Sequence, residues 1–372
     1  MPFMLRHEPG KLTACVGARL ASAGAGVSVG VVRGKDGLVT YATIGPVAVY
    51  VPETIESNEQ LAKEFPQWDM AQIYAKTGVL TRHIAAEHET AADLAVQAAE
   101  KLFAQHGIDP ASIDFLLLCT QTPDYPLPTT ACLLQERLHL PKQSGALDFN
   151  LGCSGFVYGL GLAEGLIRAG IARRVLLLTA ETYSKYIARD DRSLRTIFGD
   201  GAAATLIEAG ASPSLTGFVF GTDGTLADTL MVTEGGARPK AQAMKTRKRQ
   251  RWASRLYMDG SELMSISLEL IPQLVDQVLK KAELTRAQID LFLLHQATRL
   301  MLENLTERLQ LEPGRLPILL EQYGNTVSST LPFLIHDLRA EKRIHPGTRS
   351  LLIGFGVGFS WGGCAWTETW AG

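Results

Sequence analysis

The chain repeats one order of features twice, and this repeat constrains the fold more than any other property of the sequence. In each half a long helical pattern precedes a buried strand, at Ser112–Thr120 and at Gln288–His295. A further helix then leads to a strand and to a helix opened by a glycine turn, at Gly152–Ser154 and Gly324–Thr326. Each half next places an arginine before another buried strand. The period is too long for a solenoid, so the repeat predicts one duplicated domain with a pseudo-twofold axis.

Strand-like runs alternate with patterns of helical period along both halves. Val39–Val51 suits a strand, and a long amphipathic helix is predicted to start at Thr90, with Asp93 at its third position as a capping partner. Alternation of this kind predicts parallel β-sheet in an α/β layered fold. We expect an N-terminal half at residues 40–212 and a C-terminal half at residues 213–372.

The composition excludes several classes of protein. Of the 372 residues, 46% are hydrophobic and 20% charged, with a formal net charge of -2, which argues against nucleic acid as the main partner. The five cysteines show no paired spacing, so neither a disulfide framework nor a metal site is predicted. Because the sequence has no apolar run of membrane-spanning length and no secretory pattern, no membrane partner is predicted and the cytoplasm is the expected location.

Residues 1–39 differ from the rest of the chain. They are rich in Gly, Ala and Ser, carry scattered basic residues and show little periodicity. The sequence predicts a loosely ordered N-terminal extension, or residues upstream of the true start, without a chemical role.

The segment Leu147–Gly159 reads as a short strand, a tight glycine turn and a helix of small and apolar residues. Cys153 falls at the turn, where free backbone N–H groups and the helix dipole favour a thiolate, the form that acts as a nucleophile. Gly152 and Gly155 would let other atoms approach the sulfur. A buried structural cysteine fits the same turn, and this stretch alone leaves both interpretations open.

The duplication supplies partners for this thiol. It places Cys153 and Asn325 at equivalent helix N-termini near the axis, and His295 at the carboxyl end of its strand, where parallel α/β sheets place ligand chemistry. A thiol, an imidazole and an amide are thus predicted to converge, which favours the nucleophile. A strand-end histidine without chemistry and an ordinary Gly-Asn turn are the alternatives for His295 and Asn325.

Five motifs occur in a specific order, at Asn150–Phe156, Phe198–Ala202, His295–Ala297, Tyr323–Thr326 and Gly354–Gly362. Together they resemble the β-ketoacyl-acyl carrier protein synthase III family of condensing enzymes, over about residues 41–372. The resemblance implies a thiolase-like fold, that is, a duplicated α/β/α/β/α layered architecture.

The resemblance also implies a reaction. Cys153 would take an acyl group from a primer thioester, and His295 and Asn325 would bind the thioester carbonyl of a malonyl extender on acyl carrier protein. Decarboxylation would give an enolate that attacks the acyl group, and the backbone N–H groups of Cys153 and Val357 would form a second oxyanion hole. The family implies a homodimer without a permanently bound cofactor, which uses acyl-CoA and a phosphopantetheinyl carrier protein as substrates.

The sequence departs from the family at the CoA site. Gln72 and Lys76 occupy the positions at which family members hold the adenine with tryptophan and arginine, and Trp68 lies one helical turn earlier. Arg192 matches a phosphate-side arginine, whereas Thr298 replaces the asparagine of the usual His-Gln-Ala-Asn motif. Lysine stacks less well than arginine, so a carrier protein could deliver both substrates.

Further residues take roles from the resemblance. Leu127, in a proline-rich loop, matches a position that reaches across the dimer to the acyl pocket and should affect primer length. The substrate-binding set that the family implies comprises Lys76, Leu127, Arg192, Phe198, Met258, Thr298 and Phe355. Gly199–Gly201 is expected to be a structural turn, and the remaining predicted core thiols are Cys119, Cys132 and Cys364.

Two questions stay open at the level of sequence. The segment 238–255 contains eight Lys and Arg residues and no acid, which favours a solvated loop over a landing patch for an acidic carrier protein or CoA phosphates. The alternative activities are a same-fold acyltransferase that acylates an alcohol or amine, a cysteine hydrolase, and a non-catalytic carrier-binding subunit.

Overall fold

The computed structural model describes residues 40–239 and 255–372, and most of its strands belong to two β-sheets. The first sheet has the strand order β1-β7-β6-β4-β5 and the second has the order β11-β12-β13-β8, while β2 pairs with β3 and β9 with β10. The predicted extension at residues 1–39 and the basic residues 240–254 lie outside the described residues.

The strands of the described chain are β1 (Tyr41–Tyr50), β2 (Thr54–Ser57), β3 (Thr81–Ile84), β4 (Phe115–Cys119), β5 (Gly145–Phe149), β6 (Arg174–Glu181), β7 (Gly201–Gly210), β8 (Leu215–Thr222), β9 (Leu230–Val232), β10 (Leu256–Met258), β11 (Leu291–Leu294), β12 (Arg349–Gly356) and β13 (Ser360–Thr367). The helices are α1 (Asn58–Glu64), α2 (Met70–Thr77), α3 (Ala91–His106), α4 (Thr130–Arg137), α5 (Gly155–Arg168), α6 (Arg192–Arg195), α7 (Gly260–Ala282), α8 (Arg299–Arg308) and α9 (Thr330–Ala340).

Helices cover both sheets and fill the space between them. α3 packs on β1, β6 and β7, and α7 packs on β8, β12 and β13. α5 contacts strands of both sheets, and α9 contacts β1, β7 and β11, so these two helices form the middle layer. The predicted thiolase-like α/β/α/β/α architecture is therefore confirmed. In the described ranges, no helix is both long and apolar enough to cross a membrane.

The start of α3 follows from its sequence. The Thr90 side chain accepts from the N–H of Asp93, and the Asp93 carboxylate accepts from the N–H of Thr90 at 2.8 Å, which completes the predicted capping box. The alanine- and leucine-rich face of the helix is buried against the first sheet.

The sheets are only partly parallel, which corrects the prediction from alternation. β4 pairs in parallel with β5 and β6, and β11 with β12, whereas β6–β7, β1–β7 and β12–β13 are antiparallel. β12 and β13 are joined by the three residues 357–359. A connection this short can only join antiparallel strands, because parallel strands need a long crossover.

The strand predicted before Gly324 does not form, although the segment is described throughout. Pro317 has no N–H to donate to a ladder. Instead of a neighbouring strand, the Gln296 carboxamide bonds to this segment. Its Oε1 accepts from the N–H of Leu319 at 2.8 Å, and its Nε2 donates to the carbonyl of Pro317 at 3.3 Å. A side chain of the His295–Ala297 motif thus holds the segment that leads to Asn325.

Backbone hydrogen bonds connect the two halves at Asn325. The N–H of Asn325 donates to the carbonyl of Ile197 at 2.9 Å, and the N–H of Gly199 donates to the carbonyl of Asn325 at 3.1 Å. A Cβ at Gly199 would lie 2.2 Å from the Tyr323 carbonyl oxygen, and Gly324 has a φ of +65°. Glycine at both positions is what allows this close approach.

Candidate active site

Cys153 lies in the turn between β5 and α5 and is buried. The hydroxyls of Ser154 and Ser360 are 2.7 Å apart, which links this turn to the β12–β13 hairpin of the other half. A Cβ at Gly356 would lie 2.9 Å from the Cys153 sulfur. The hairpin backbone therefore forms one wall of the thiol site.

The prediction of an easily ionised thiol is wrong. Burial raises the pKa of Cys153 to about 12, and the Glu181 carboxylate adds to this effect. Hydrogen bonds from the backbone N–H groups of Cys153 and Val357 oppose the rise but do not outweigh it. The thiol, not the thiolate, is the resting form.

The same two N–H groups meet at the sulfur of Cys153. Within the hairpin, the Ser360 hydroxyl donates to the Val357 carbonyl at 2.7 Å and so holds the peptide group that follows Val357. An oxygen that becomes negative next to this sulfur would have two backbone donors close by, which is the arrangement of an oxyanion hole.

His295 follows β11 directly and is buried, and burial lowers the pKa of its imidazole to about 3. The ring is therefore neutral near pH 7. Its Nδ1 lies 2.7 Å from the Thr330 hydroxyl. The Thr330 hydroxyl can donate either to this Nδ1 or to the Val327 carbonyl, which is 3.2 Å away. When it donates to Nδ1, the ring carries its proton on Nε2, which can then donate towards the cavity.

Asn325 presents its amide nitrogen to His295. Its Oδ1 accepts from the N–H of Val327 at 2.9 Å, which leaves Nδ2 3.5 Å from the Nε2 of His295. This separation is long for a hydrogen bond between the two groups. With the proton on Nε2 both groups are donors, so an acceptor oxygen placed between them would satisfy both.

Cys153, His295 and Asn325 line one cavity of about 140 Å³. Four of the seven predicted substrate-binding residues line it too: Phe198, Met258, Thr298 and Phe355. The structure therefore brings the three predicted chemical groups together with a largely apolar wall. Across residues 40–239 and 255–372, no cluster of His, Cys, Asp and Glu is arranged to hold a metal ion.

The other three predicted binding residues lie outside this cavity. Leu127 is 81% exposed, and Lys76 is exposed on α2. Arg192 lines a separate cleft of about 440 Å³ together with Trp68. Trp68 is buried and stacks on Phe65 with 4.1 Å between the ring centroids, so little of its ring is available to a ligand.

Several lining residues were missed by sequence reasoning. Gly260, Leu263, Met264 and Ser267 lie three, one and three residues apart on one face of α7, and that spacing was the available signal. The remaining missed positions are Ile197, Leu230, Ala297, Met301, Gly356 and Phe359.

One prediction about the remaining cysteines is wrong. Cys119 and Cys364 are buried as expected, but Cys132 is exposed on α4. The apolar face of this short helix is formed by Ala131 and Leu134. Position 132 therefore points away from the core.

Comparison with known proteins agrees with this geometry. Residues 147–224 match the model described as 3-oxoacyl-[acyl-carrier-protein (ACP)] synthase III, and residues 279–367 match the model for the C-terminal part of that enzyme. The chain is 34% identical over 327 residues to the β-ketoacyl-[acyl-carrier-protein] synthase III of Lactococcus lactis subsp. lactis (strain IL1403), covering 87% of this chain and 98% of the relative.

Solved structures give the same result. A crystal structure of a 3-oxoacyl-(acyl-carrier-protein) synthase III is similar with a TM-score of 0.84 and 48% identity, over 88% of this chain and 99% of the other. A 3-oxoacyl-(acyl-carrier protein) synthase from Burkholderia xenovorans LB400 is similar with a TM-score of 0.83 and 35% identity, over 89% and 95% of the two chains.

Proposed function

Because the chain belongs to the β-ketoacyl-[acyl-carrier-protein] synthase III family and is a condensing acyltransferase, we propose that Cys153 carries the acyl primer while His295 and Asn325 activate a malonyl extender. The observation that carries this assignment is the 3.5 Å approach of the His295 Nε2 and the Asn325 Nδ2 in the cavity that holds Cys153. Two neutral donors aimed at one point suit a thioester oxygen that becomes an enolate oxygen.

In the first step the sulfur of Cys153 attacks the carbonyl carbon of the primer thioester. The oxygen that becomes negative is stabilised by the N–H groups of Cys153 and Val357, which support this role because both favour negative charge on the sulfur. The bond from carbon to the primer's sulfur then breaks, and the thiol proton of Cys153 ends on the departing thiol. Burial keeps water away from the resulting acyl-enzyme.

In the second step the malonyl thioester oxygen accepts from His295 and Asn325. The bond to the carboxylate breaks, CO2 leaves, and its electron pair forms the enolate that the two donors stabilise. The enolate carbon attacks the acyl group, the Cys153 sulfur leaves as a thiolate, and a proton from solvent restores the thiol. A neutral imidazole favours this step, since an imidazolium would protonate the enolate.

The substrates of both steps are thioesters of phosphopantetheine, the arm that acyl-CoA and acyl carrier protein share. Phe198, Met258, Thr298 and Phe355 contact this arm or the acyl chain, as their place on the cavity wall supports. Arg192 and Lys76 lie outside the cavity and are assigned to the phosphate end. No cofactor is held between turnovers.

The assembly is a homodimer in the cytoplasm, in which Leu127 of each subunit reaches the acyl pocket of the other. Two features support this assembly. Leu127 is 81% exposed, which is unusual for a leucine in a folded chain, and β5 is an edge strand whose Leu147 is exposed.

Intact-mass spectrometry with CO2 detection tests the proposal. Incubation with a panel of acyl-CoA and acyl-carrier primers should give one acyl adduct, which is lost in Cys153→Ala and kept in Cys132→Ala, the matched control at an exposed cysteine. The acylated enzyme should then release CO2 from malonyl-carrier protein. An acyl adduct on Cys153 without any CO2 release would contradict condensation and favour transfer to an alcohol or amine.

A further inference from the structure

A buried carboxyl group lies behind the active site and has no role in the steps above. Glu181 ends β6 and is fully buried. Its Oε2 accepts from the N–H of Gln121 at 3.0 Å and from the Thr122 hydroxyl at 3.4 Å. Its Oε1 accepts from the hydroxyl of Ser328 at 2.9 Å. One side chain thus joins the loop after β4 in the N-terminal half to the segment before α9 in the C-terminal half.

On one side this network leads to the nucleophile. The Gln121 Nε2 donates to the Asn150 Oδ1 at 3.2 Å, and its Oε1 accepts from the Tyr183 hydroxyl. This Oε1 also lies against the turn, because a Cβ at Gly152 would be 2.5 Å from it. By fixing the Gln121 backbone, the carboxyl group sets one wall of the turn that carries Cys153.

On the other side the network leads to the extender site. Ser328 directly follows Val327, whose N–H holds the Oδ1 of Asn325 at 2.9 Å. That bond turns the Nδ2 of Asn325 towards His295. A shift of Ser328 would therefore move the amide away from its partner donor.

We propose that Glu181 is a positioning residue of the condensing site. It fixes the position of the Cys153 turn in one half relative to the Asn325 carboxamide in the other. It contacts neither substrate nor reacting atoms and acts through Gln121 and Ser328. The inference rests on the proposed roles of Cys153 and Asn325.

The charge of this group has a second consequence. The titratable groups around it are acids themselves: Cys119, Cys153, Tyr183, Tyr186 and Asp200. Burial raises the pKa of Glu181 to about 8, so near pH 7 it is mostly protonated, and the carboxyl group can then donate its proton to the Ser328 hydroxyl. Once ionised, it opposes ionisation of the Cys153 thiol. A neutral side chain of the same shape should therefore keep the geometry and make the thiolate easier to form.

Two variants, Glu181→Gln and Glu181→Ala, distinguish the positioning role of Glu181 from the effect of its charge on Cys153. The alanine variant should lose malonyl decarboxylation by about tenfold to hundredfold in kcat, because the Asn325 segment is no longer held. The glutamine variant should keep decarboxylation within about threefold of wild type, since its Oε1 can accept from Gln121 and Thr122 while its Nε2 donates to the Ser328 hydroxyl. It should also lower the pH midpoint of Cys153 alkylation by iodoacetamide, read by peptide mass spectrometry, by about one unit.

Glu164→Gln is the matched control. Glu164 is also a buried glutamate with a raised pKa, and its carboxylate accepts from the N–H of Ala42. It lies on α5, more than two helical turns beyond the Cys153 turn. Its replacement should leave the alkylation midpoint of Cys153 unchanged. A midpoint in Glu181→Gln equal to that of this control, with wild-type decarboxylation in Glu181→Ala, would overturn the proposal.

Ser328→Ala tests the same proposal if Glu181→Ala does not fold. It removes one contact of the network and should slow decarboxylation while leaving acylation of Cys153 intact. Wild-type decarboxylation in this variant together with an unshifted midpoint in Glu181→Gln would refute the inference. Failure of the wild-type enzyme to form an acyl adduct or release CO2 would instead refute the proposed function.

Discussion

At the scale of single residues, the ionisation of Cys153 could not be read from its own stretch of sequence. A cysteine at a helix N-terminus indicates a stabilised thiolate. Two opposing effects come from residues distant in the chain. The hairpin at Gly356 covers the sulfur, and the Glu181 carboxylate disfavours a second negative charge close by. Desolvation depends on the whole fold, so its magnitude is absent from a local motif.

The meeting of His295 with Asn325 was predictable, by contrast. His295 directly follows β11 and Asn325 follows a glycine turn, and the duplication predicted that the two would meet, although the strand expected before Gly324 is absent. The 3.5 Å contact agrees with the predicted convergence. Their catalytic roles remain the proposal to be tested.

His295→Ala should separate the two steps of the reaction. Removing the Nε2 donor should slow malonyl decarboxylation by about 10²- to 10³-fold, as expected for one oxyanion-hole donor, while acylation of Cys153 persists within a few-fold. Single-turnover acylation and CO2 release measured on the same preparation give both rates. If acylation is lost as well, His295 acts as the base for the thiol.

At the scale of elements, the β12–β13 hairpin supplies the backbone wall of the thiol site. The glycine-rich stretch Gly354–Gly362 contains the turn of this hairpin. The sequence did not indicate that Gly356 lies against the Cys153 sulfur, because that contact depends on how the two halves pack.

Gly356→Ala should therefore abolish acylation of Cys153. Its Cβ would lie 2.9 Å from both the Cβ and the sulfur of Cys153, closer than such atoms approach in proteins. Intact-mass detection of the acyl adduct reads the effect. Gly165→Ala on α5 is the control, since its Cβ meets nothing within 4 Å and a helical Gly-to-Ala change stabilises by about 0.5–1 kcal/mol. Normal acylation in Gly356→Ala would show that the hairpin leaves room beside the sulfur.

At the scale of the whole molecule, buried acids should make the stability depend on pH. The folded pKa of Glu181 is about 8, above the ordinary value of a glutamate, so the folded state binds the extra proton. The stability that this proton contributes is fully present below the ordinary pKa and is lost as the pH rises through about 8. Glu181→Gln carries no titrating group at this position and should lack this loss.

Urea unfolding of both proteins at several pH values between 5 and 8 checks this prediction. The free energy of unfolding of the wild type, relative to Glu181→Gln, should fall as the pH rises, with a slope on the order of 1.4 kcal/mol per pH unit for one proton. A difference that does not vary with pH would mean that Glu181 has the same pKa folded and unfolded.

The backbone bridge at Asn325 limits how a substrate can reach this site. Asn325 donates its N–H to Ile197 and accepts from Gly199, so separating the halves would break both bonds and carry the carboxamide away from His295. Substrate must then enter lengthwise while the protein stays closed, which only a narrow, flexible chain can do. We therefore expect the cross-section and reach of the arm that carries the thioester to limit which substrates enter, before any bond is made or broken.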